Sequence, residues 1–203
     1  MLAILISGRG SNMRSLVEAG LPVSVVVSNR ADAPGLDFAR RHGIPTMIVE
    51  HRAFATREAF EEALGAAIER HAPRLVVLAG FMRVFTAAFV RRYAGRMLNI
   101  HPSLLPAFPG LDTHARALAA GVKIHGCTVH FVTEDLDAGP IVVQAAVRVL
   151  EQDSVSSLAA RVLEQEHRIY PRAARWFLEQ RLVVQGNIVR VKGEDAQLVL
   201  PAL

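Results

Sequence analysis

Short aliphatic runs alternate with helical segments along the first half of the chain, and this alternation is the strongest constraint on the fold. The runs Leu2 to Ile6, Val23 to Ser28 and Leu75 to Leu78 have the character of strands buried in a parallel sheet. Strands that alternate with helices in this way form parallel sheets covered by helices. The sequence therefore predicts an α/β fold with a doubly wound, mostly parallel central sheet flanked by helices.

The remaining elements follow from periodicity and from residues that start or stop helices. Helices are predicted from Met13, at Leu36 to His42, at Thr56 to His71 with Thr56 as N-cap, at Thr86 to Tyr93, at Thr113 to Ala120, and over a long stretch capped by Asp153 and kinked at Pro171. Further strands are predicted at Thr46 to Val49, 126 to 132 and Ile141 to Val149, and a C-terminal hairpin turns at Gly186-Asn187. No repeat or linker interrupts the 203 residues, so one domain is expected over 1–203.

A glycine-rich turn, Ser7-Gly8-Arg9-Gly10-Ser11-Asn12, follows the first strand and leads into a helix. Free amides and the helix dipole point at one spot there, which favours a phosphate group. Met13 stands at the third glycine position of a dinucleotide fingerprint, so a hydride-transfer enzyme is disfavoured but not excluded. The alternative is a plain glycine turn in which Ser11 or Asn12 is the N-cap.

The segment MLNIHPSLLPAFPG, residues 97 to 110, ends an apolar strand with two polar side chains and three prolines. Asn99 and His101 are two residues apart, so in an extended strand they share a face. Pro102 ends the strand at His101. An amide and an imidazole held together suit oxyanion stabilisation and proton transfer. The alternative is a capping Asn and a structural His.

Two loops complete the candidate site. Phe81, Met82 and Phe85 follow a buried strand and together suggest an apolar wall for a flat ligand, although each alone is better explained as core. The loop 133 to 140 carries three carboxylates, of which Glu134 and Asp135 are typical of solvated turns. Asp137 precedes Ala-Gly-Pro directly and has the most constrained position.

Composition excludes several classes of protein. The net charge is +4, and 21 of the 23 basic residues are arginines scattered along the chain, which favours anionic small-molecule substrates over a nucleic-acid groove. No apolar run is long enough for a membrane span, and the N-terminus lacks a signal-peptide pattern. A single Cys127 fits a reducing, cytoplasmic compartment. No cluster has convincing metal-ligand spacing, so no metal is expected.

Taken together, these segments resemble the folate-dependent glycinamide ribonucleotide formyltransferases of purine synthesis. The resemblance runs through ISGRGSN, SNRADAPGL, REAFEEAL, VVLAGFMR, NIHPSLLPAFPG, GCTVHFV, DLDAGPIV and EQEHRIYP. It implies a formyltransferase fold with a Rossmann-like N-terminal half that binds phosphate, at about 1–100, and a folate-binding, catalytic-loop half at about 101–203. It further implies 10-formyltetrahydrofolate as co-substrate, glycinamide ribonucleotide as acceptor, and a monomer or homodimer.

The resemblance also implies roles for individual residues. Asn99, His101 and Asp137 would be catalytic, and Thr128 and His130 would orient this polar centre. Gly10, Ser11 and Asn12 would hold the substrate phosphate, and Glu166 would contact the ribose or glycinamide end. Folate would lie against Arg57, Met82, Arg83, Val84, Phe85, Asn99 and Asp137.

Two positions depart from the family pattern, and two other functions stay open. Asp112 stands where the family has a His, and Leu163 replaces a polar residue one turn before Glu166. Within enzymes, the same centre could hydrolyse the formyl donor. From another class, the chain could be a non-catalytic nucleotide-binding or folate-binding module, since fold alone does not give function.

Overall fold

The computed structural model describes residues 1–193 and 195–200, and the chain forms two compact units, Met1–Asn99 and Ile100–Leu203. The first unit contains β1 Leu2–Ile6, α1 Ser11–Glu18, β2 Val23–Ser28, α2 Gly35–Arg41, β3 Thr46–Ile48, a 3₁₀ turn at His51–Ala53, α3 Arg57–Glu69, β4 Leu75–Leu78, α4 Ala87–Arg92 and the start of β5 Met97–His101. The second contains the end of β5, then α5 Thr113–Ala119, β6 Ile124–Phe131, β7 Ile141–Arg148, α6 Val155–Leu178, β8 Leu182–Gln185, β9 Ile188–Val191 and β10 Leu198–Val199. The expectation of one domain over 1–203, with halves at about 1–100 and 101–203, stays a prediction.

The first unit is built on a parallel sheet with the strand order β3-β2-β1-β4-β5. Every residue of the central strand β1 is fully buried, as its unbroken aliphatic sequence requires. Parallel strands place all their carboxyl ends at one edge. The glycine turn after β1 and the 79–85 turn after β4 therefore emerge together.

The second unit combines antiparallel and parallel pairing. β6 pairs antiparallel with β7, and β7 pairs parallel with both β9 and β10. β8 and β9 form an antiparallel hairpin in which Gln185 pairs with Ile188, so the predicted turn at Gly186-Asn187 is confirmed. The long helix α6 packs against β6 and β7.

Helix starts show where the sequence was interpreted correctly and where it was not. Thr56 is the N-cap of α3, with its hydroxyl accepting from the Ala59 amide at 3.1 Å, as predicted. Asp153 was wrongly predicted to cap α6: Ser154 forms a reciprocal capping box with Ser157. The Asp153 carboxylate instead accepts from the Leu150 amide, the Ser157 hydroxyl and the Arg161 guanidinium.

Two further boundaries are notable. The helix α1 begins at Ser11, two residues before the predicted start at Met13. The helix α6 continues through Pro171 to Leu178.

Among the described residues, no helix is both long and apolar enough to span a bilayer.

Gly126 on β6 provides a test of the strand packing next to Thr128. A Cβ at this position would lie 2.0 Å from the Ala145 carbonyl oxygen of β7, so the two strands would have to separate. We expect Gly126→Ala to lower the free energy of unfolding by about 3 kcal/mol. Gly43→Ala is the control, because its Cβ meets no atom within 4 Å and its cost, about 1 kcal/mol, comes only from the positive φ. Chemical denaturation measures both, and equal losses would contradict the packing argument.

Candidate active site

The glycine turn of the first unit leads directly into α1. Gly10 is the N-cap residue and has φ +68°, and a Cβ there would lie 2.7 Å from Met13 Cε and 3.4 Å from Gly35 Cα. No side chain caps α1, so the alternative in which Ser11 or Asn12 is the N-cap is wrong. The helix start keeps its amide dipoles directed at the turn, which is the arrangement that favours an anion.

Ser7 ties this turn to the segment after β4. Its hydroxyl donates to Asn29 Oδ1 at 2.7 Å and accepts from the Met82 amide at 2.9 Å, while the Ser7 amide donates to the Gly80 carbonyl at 3.2 Å. The first unit therefore brings the glycine turn and the 79–85 turn together. Sequence reasoning missed Ser7 and Asn29. Their positions at the carboxyl ends of β1 and β2 were the available signal.

The folate candidates of the first unit differ in their surroundings. Met82 and Val84 are 74% and 60% exposed, and Arg83 is half-buried. Phe85 lies between Phe81 and Phe89, with ring centroids 5.4 and 4.4 Å away. Arg57 is the exposed first residue of α3, and its guanidinium makes no hydrogen bond or ion pair with another described residue. The 82–85 segment thus offers apolar surface, and Arg57 is not joined to it.

In the second unit, His101 and Asp137 form a buried pair. His101 Nδ1 lies 3.4 Å from Asp137 Oδ2, and the two side chains are 7% and 8% exposed. His101 Nε2 lies 3.0 Å from the Phe108 carbonyl oxygen. Asp137 Oδ2 also accepts from the Gly110 amide at 2.8 Å. Both nitrogens of the imidazole therefore face oxygens that accept hydrogen bonds.

His130 lies behind Asp137. Its Nε2 is 3.8 Å from Asp137 Oδ1, and its Nδ1 is 2.9 Å from the Phe131 carbonyl oxygen, so Nδ1 carries the proton. Burial lowers the pKa of His130, and this outweighs the opposing effects of the Phe131 carbonyl and of Asp137. A neutral His130 therefore places no positive charge beside Asp137.

Thr128 holds the chain that follows His101. Its hydroxyl donates to the Ser103 carbonyl at 2.7 Å and accepts from the Leu105 amide at 3.0 Å and from Gln144 Nε2 at 2.9 Å. Gln144 also donates to the Leu105 carbonyl at 2.9 Å. Gln144 was missed from the sequence. The signal was a single amide among the apolar residues of the strand IVVQAAVR, which ends in an arginine, and it lies opposite Thr128 in the β6–β7 register.

A pair of histidines lies near this centre. His114 Nδ1 is 3.2 Å from His125 Nε2. Burial, reinforced by His114 and opposed by the Pro102 carbonyl, lowers the pKa of His125 to about 4. Burial and the charge of His101 lower the pKa of His114 as well. These rings are therefore neutral near pH 7.

The remaining candidates lie on β5, at the start of α5 and on α6. Asn99 is on β5, two residues before His101, half-buried and paired with Leu78. Glu166 is a buried residue of α6 whose charge adds to burial in raising the pKa of Cys127. Asp112 has φ +56° at the start of α5 and makes no side-chain cap, and Leu163 is half-buried on α6. In the residues described, no His, Cys, Asp and Glu side chains form a group of three that could hold a metal.

Comparison with known proteins gives consistent matches. The formyl transferase family model matches residues 1–174. The chain is 48% identical over 199 residues to phosphoribosylglycinamide formyltransferase of Escherichia coli, covering 95% of this chain and 94% of that protein. The crystal structure of phosphoribosylglycinamide formyltransferase from Anaplasma phagocytophilum superposes with a TM-score of 0.93 at 40% identity, covering 99% and 98% of the two chains. The predicted α/β fold is thereby confirmed.

A second kind of relative is also similar. The crystal structure of a formyltetrahydrofolate deformylase from Pseudomonas syringae superposes with a TM-score of 0.86 at 29% identity. The match covers 94% of this chain but only 65% of that one. The deformylase therefore contains a substantial segment that has no counterpart in the matched region.

The lowered pKa of His125 predicts acid sensitivity. The pKa of His125 is near 6.5 in the unfolded chain and about 4 in the folded protein, so between these pH values the unfolded chain binds one more proton than the folded protein. The contribution of His125 to the free energy of unfolding is therefore complete above pH 6.5 and is lost as the pH falls towards 4. We expect the free energy of unfolding to be about 1 to 2 kcal/mol lower at pH 5 than at pH 7 through this group. His125→Gln should reduce that difference in chemical denaturation. The control His71→Gln should leave the difference between pH 7 and pH 5 unchanged. If His125→Gln shows the full difference, the acid sensitivity does not come from His125.

Proposed function

Because the chain belongs to the formyl transferase family, we propose that it transfers the formyl group of 10-formyltetrahydrofolate to the amine of glycinamide ribonucleotide in purine biosynthesis. The products are formylglycinamide ribonucleotide and tetrahydrofolate. The observation that carries the proposal is the buried His101–Asp137 pair, oriented by the Phe108 carbonyl and the Gly110 amide. Such a pair suits an acyl-transfer reaction, which needs stabilisation of an oxyanion and a proton transfer.

The reaction begins with attack of the glycinamide nitrogen on the formyl carbon. A carbon–nitrogen bond forms, and the carbonyl electron pair moves to oxygen to give a tetrahedral oxyanion. The Asn99 amide and the His101 imidazolium stabilise this charge. A full negative charge is a stronger acceptor than the neutral Phe108 carbonyl, so the Nε2 proton moves its hydrogen bond to the oxyanion as the charge develops. The interaction is therefore made mainly in the transition state.

Collapse of the intermediate requires a proton transfer. The attacking amine loses a proton, and the folate nitrogen gains one as its bond to the formyl carbon breaks. Asp137 favours the imidazolium of His101 by its negative charge and helps to move this proton, directly or through water. Thr128 and His130 orient the centre: Thr128 fixes the chain after His101, and the buried His130 ring lies behind Asp137.

Other residues hold the substrates. Gly10, Ser11 and Asn12 hold the phosphate of the ribonucleotide at the start of α1, and Glu166 contacts its ribose or glycinamide end. Folate lies against Arg57, Met82, Arg83, Val84, Phe85, Asn99 and Asp137. The scheme uses no metal. The protein acts in the cytoplasm on small molecules, without nucleic acid or membrane, as a monomer or homodimer.

Hydrolysis of the formyl donor is the second candidate, favoured by the structural likeness to a formyltetrahydrofolate deformylase. The two functions differ in whether the amine is required. Product formed at the same rate without glycinamide ribonucleotide indicates the hydrolase. Binding of both ligands without turnover indicates a non-catalytic module.

We predict that His101→Ala and Asp137→Asn each lower kcat by about two to four orders of magnitude, because both groups act mainly on transition-state charge. The KM values for both substrates should change little. Steady-state formyl transfer, followed by the appearance of tetrahydrofolate, measures this. His42→Ala, at the exposed end of α2, is the control. Near-normal turnover of either active-site variant would overturn its assigned role.

We predict that Gly10→Ala raises the KM for glycinamide ribonucleotide by about tenfold, because its Cβ would displace Met13 and distort the helix start that faces the phosphate. The KM for the folate donor should stay within about twofold of the parent value. Gly20→Ala, beyond the other end of α1 with φ +73° and open space around its Cβ, controls for backbone strain. Equal effects on both substrates would show that Gly10 is not specific to the phosphate.

A further inference from the structure

Arg116 on α5 reaches back to the loop that holds the catalytic pair. Its Nη1 donates to the Pro109 carbonyl at 2.5 Å and lies 3.3 Å from the Leu111 carbonyl oxygen. Its guanidinium carbon is 5.7 Å from the centre of the Phe108 ring. One cation therefore contacts three residues of a four-residue segment.

The Pro109–Gly110 peptide is the element that connects Arg116 to Asp137. Its carbonyl oxygen accepts from Arg116, and its amide, on Gly110, donates to Asp137 Oδ2 at 2.8 Å. A cation bonded to the oxygen of a peptide polarises the whole unit and makes its N–H a stronger donor. The Arg116 charge is thus relayed to the Asp137 carboxylate through one peptide.

The same loop carries backbone strain next to the histidine. Phe108 has φ +54°, a conformation that is costly for a bulky side chain. Its carbonyl accepts from His101 Nε2, so the strained residue fixes the ring. The Arg116 contacts with the Phe108 ring and with the Pro109 carbonyl that follows it help to offset the cost.

We propose that Arg116 is a positioning residue for Asp137 and His101, acting through the Pro109–Gly110 peptide. The inference rests on the proposed catalytic role of this pair. Arg116 is exposed to solvent, which screens its charge, so its effect is smaller than that of the catalytic residues themselves. The relay needs a cationic donor at the Pro109 carbonyl, and an apolar side chain of similar length cannot provide one.

The test compares Arg116→Met with Arg116→Lys. Methionine keeps packing over Phe108 but loses the donor and the charge, whereas lysine keeps both. We expect Arg116→Met to lower kcat by about tenfold with KM values within about twofold, and Arg116→Lys to recover most of the loss. In the amide proton spectrum of the intact protein, the Gly110 resonance should move upfield in Arg116→Met and return towards the parent position in Arg116→Lys.

Arg96→Met is the matched control. Arg96 also lies beside two backbone carbonyls, those of Pro73 and Arg92, and over an aromatic ring, Tyr93 at 4.8 Å, but in the first unit. The Arg96→Met substitution should leave the Gly110 resonance and kcat unchanged. If Arg116→Met loses activity while the Gly110 resonance does not move, Arg116 has a merely structural role and the relay is overturned. An unchanged kcat in Arg116→Met would also overturn it.

The spectrum separates this inference from the proposed function. If the parent protein does not transfer formyl groups, the proposed function fails, and the Gly110 resonance still decides whether Arg116 acts on the Asp137 hydrogen bond. If the parent is active and the resonance does not move, the relay alone fails.

Discussion

A carboxylate that is removed from water must be surrounded by donors, and in the second unit this requirement centres on Asp137. One oxygen accepts from the Gly110 amide and lies beside His101, and the other faces His130. Gly110 and His101 are the donors, His130 is a neutral neighbour, and none of the three is adjacent to Asp137 in sequence. The loop after β5, the strand β6 and the loop before β7 must all be in place before the charge is satisfied. The centre is therefore a product of the packed unit.

Several otherwise unexplained features of the second unit serve that arrangement. Phe108, Asp112 and Asp137 all have positive φ without being glycine, which is uncommon and costs free energy. The Thr128–Gln144 network stabilises the chain after His101. Arg116 bonds the loop from its outer side. Hydrogen bonds to backbone groups thus offset local strain around the His101–Asp137 pair.

In the first unit the positioning is achieved by the sheet itself. The fully buried strand β1 fixes where the chain emerges, and Ser7 joins this point to Asn29 after β2 and to Met82 after β4. Gly10 is required because the chain turns with φ +68° against Met13 and Gly35. A turn built in this way presents the start of α1 without using a side-chain cap.

Local sequence determined much of this protein. The aliphatic strands β1, β2 and β4, the Thr56 cap, the end of β5 at His101 and the hairpin at Gly186-Asn187 all follow from short-range rules of burial, capping and turn chemistry. The same patterns singled out His101 and Asp137 as polar residues at constrained positions. The cap of α6 was misassigned, because Asp153 and Ser154 are both good caps and the choice depends on Arg161, eight residues beyond Asp153, which takes the carboxylate.

Tertiary structure alone decided which groups face each other. The partners of His101 are a backbone carbonyl seven residues later and a carboxylate thirty-six residues later, and no periodicity encodes either distance. The roles of Gln144, Ser7 and Arg116 likewise depend on backbone groups, whose direction is fixed only when strands pair and loops close. Sequence specifies the side chains that can do chemistry. Packing specifies the hydrogen bonds that orient them, because donors and acceptors of the backbone are the same for every residue except proline.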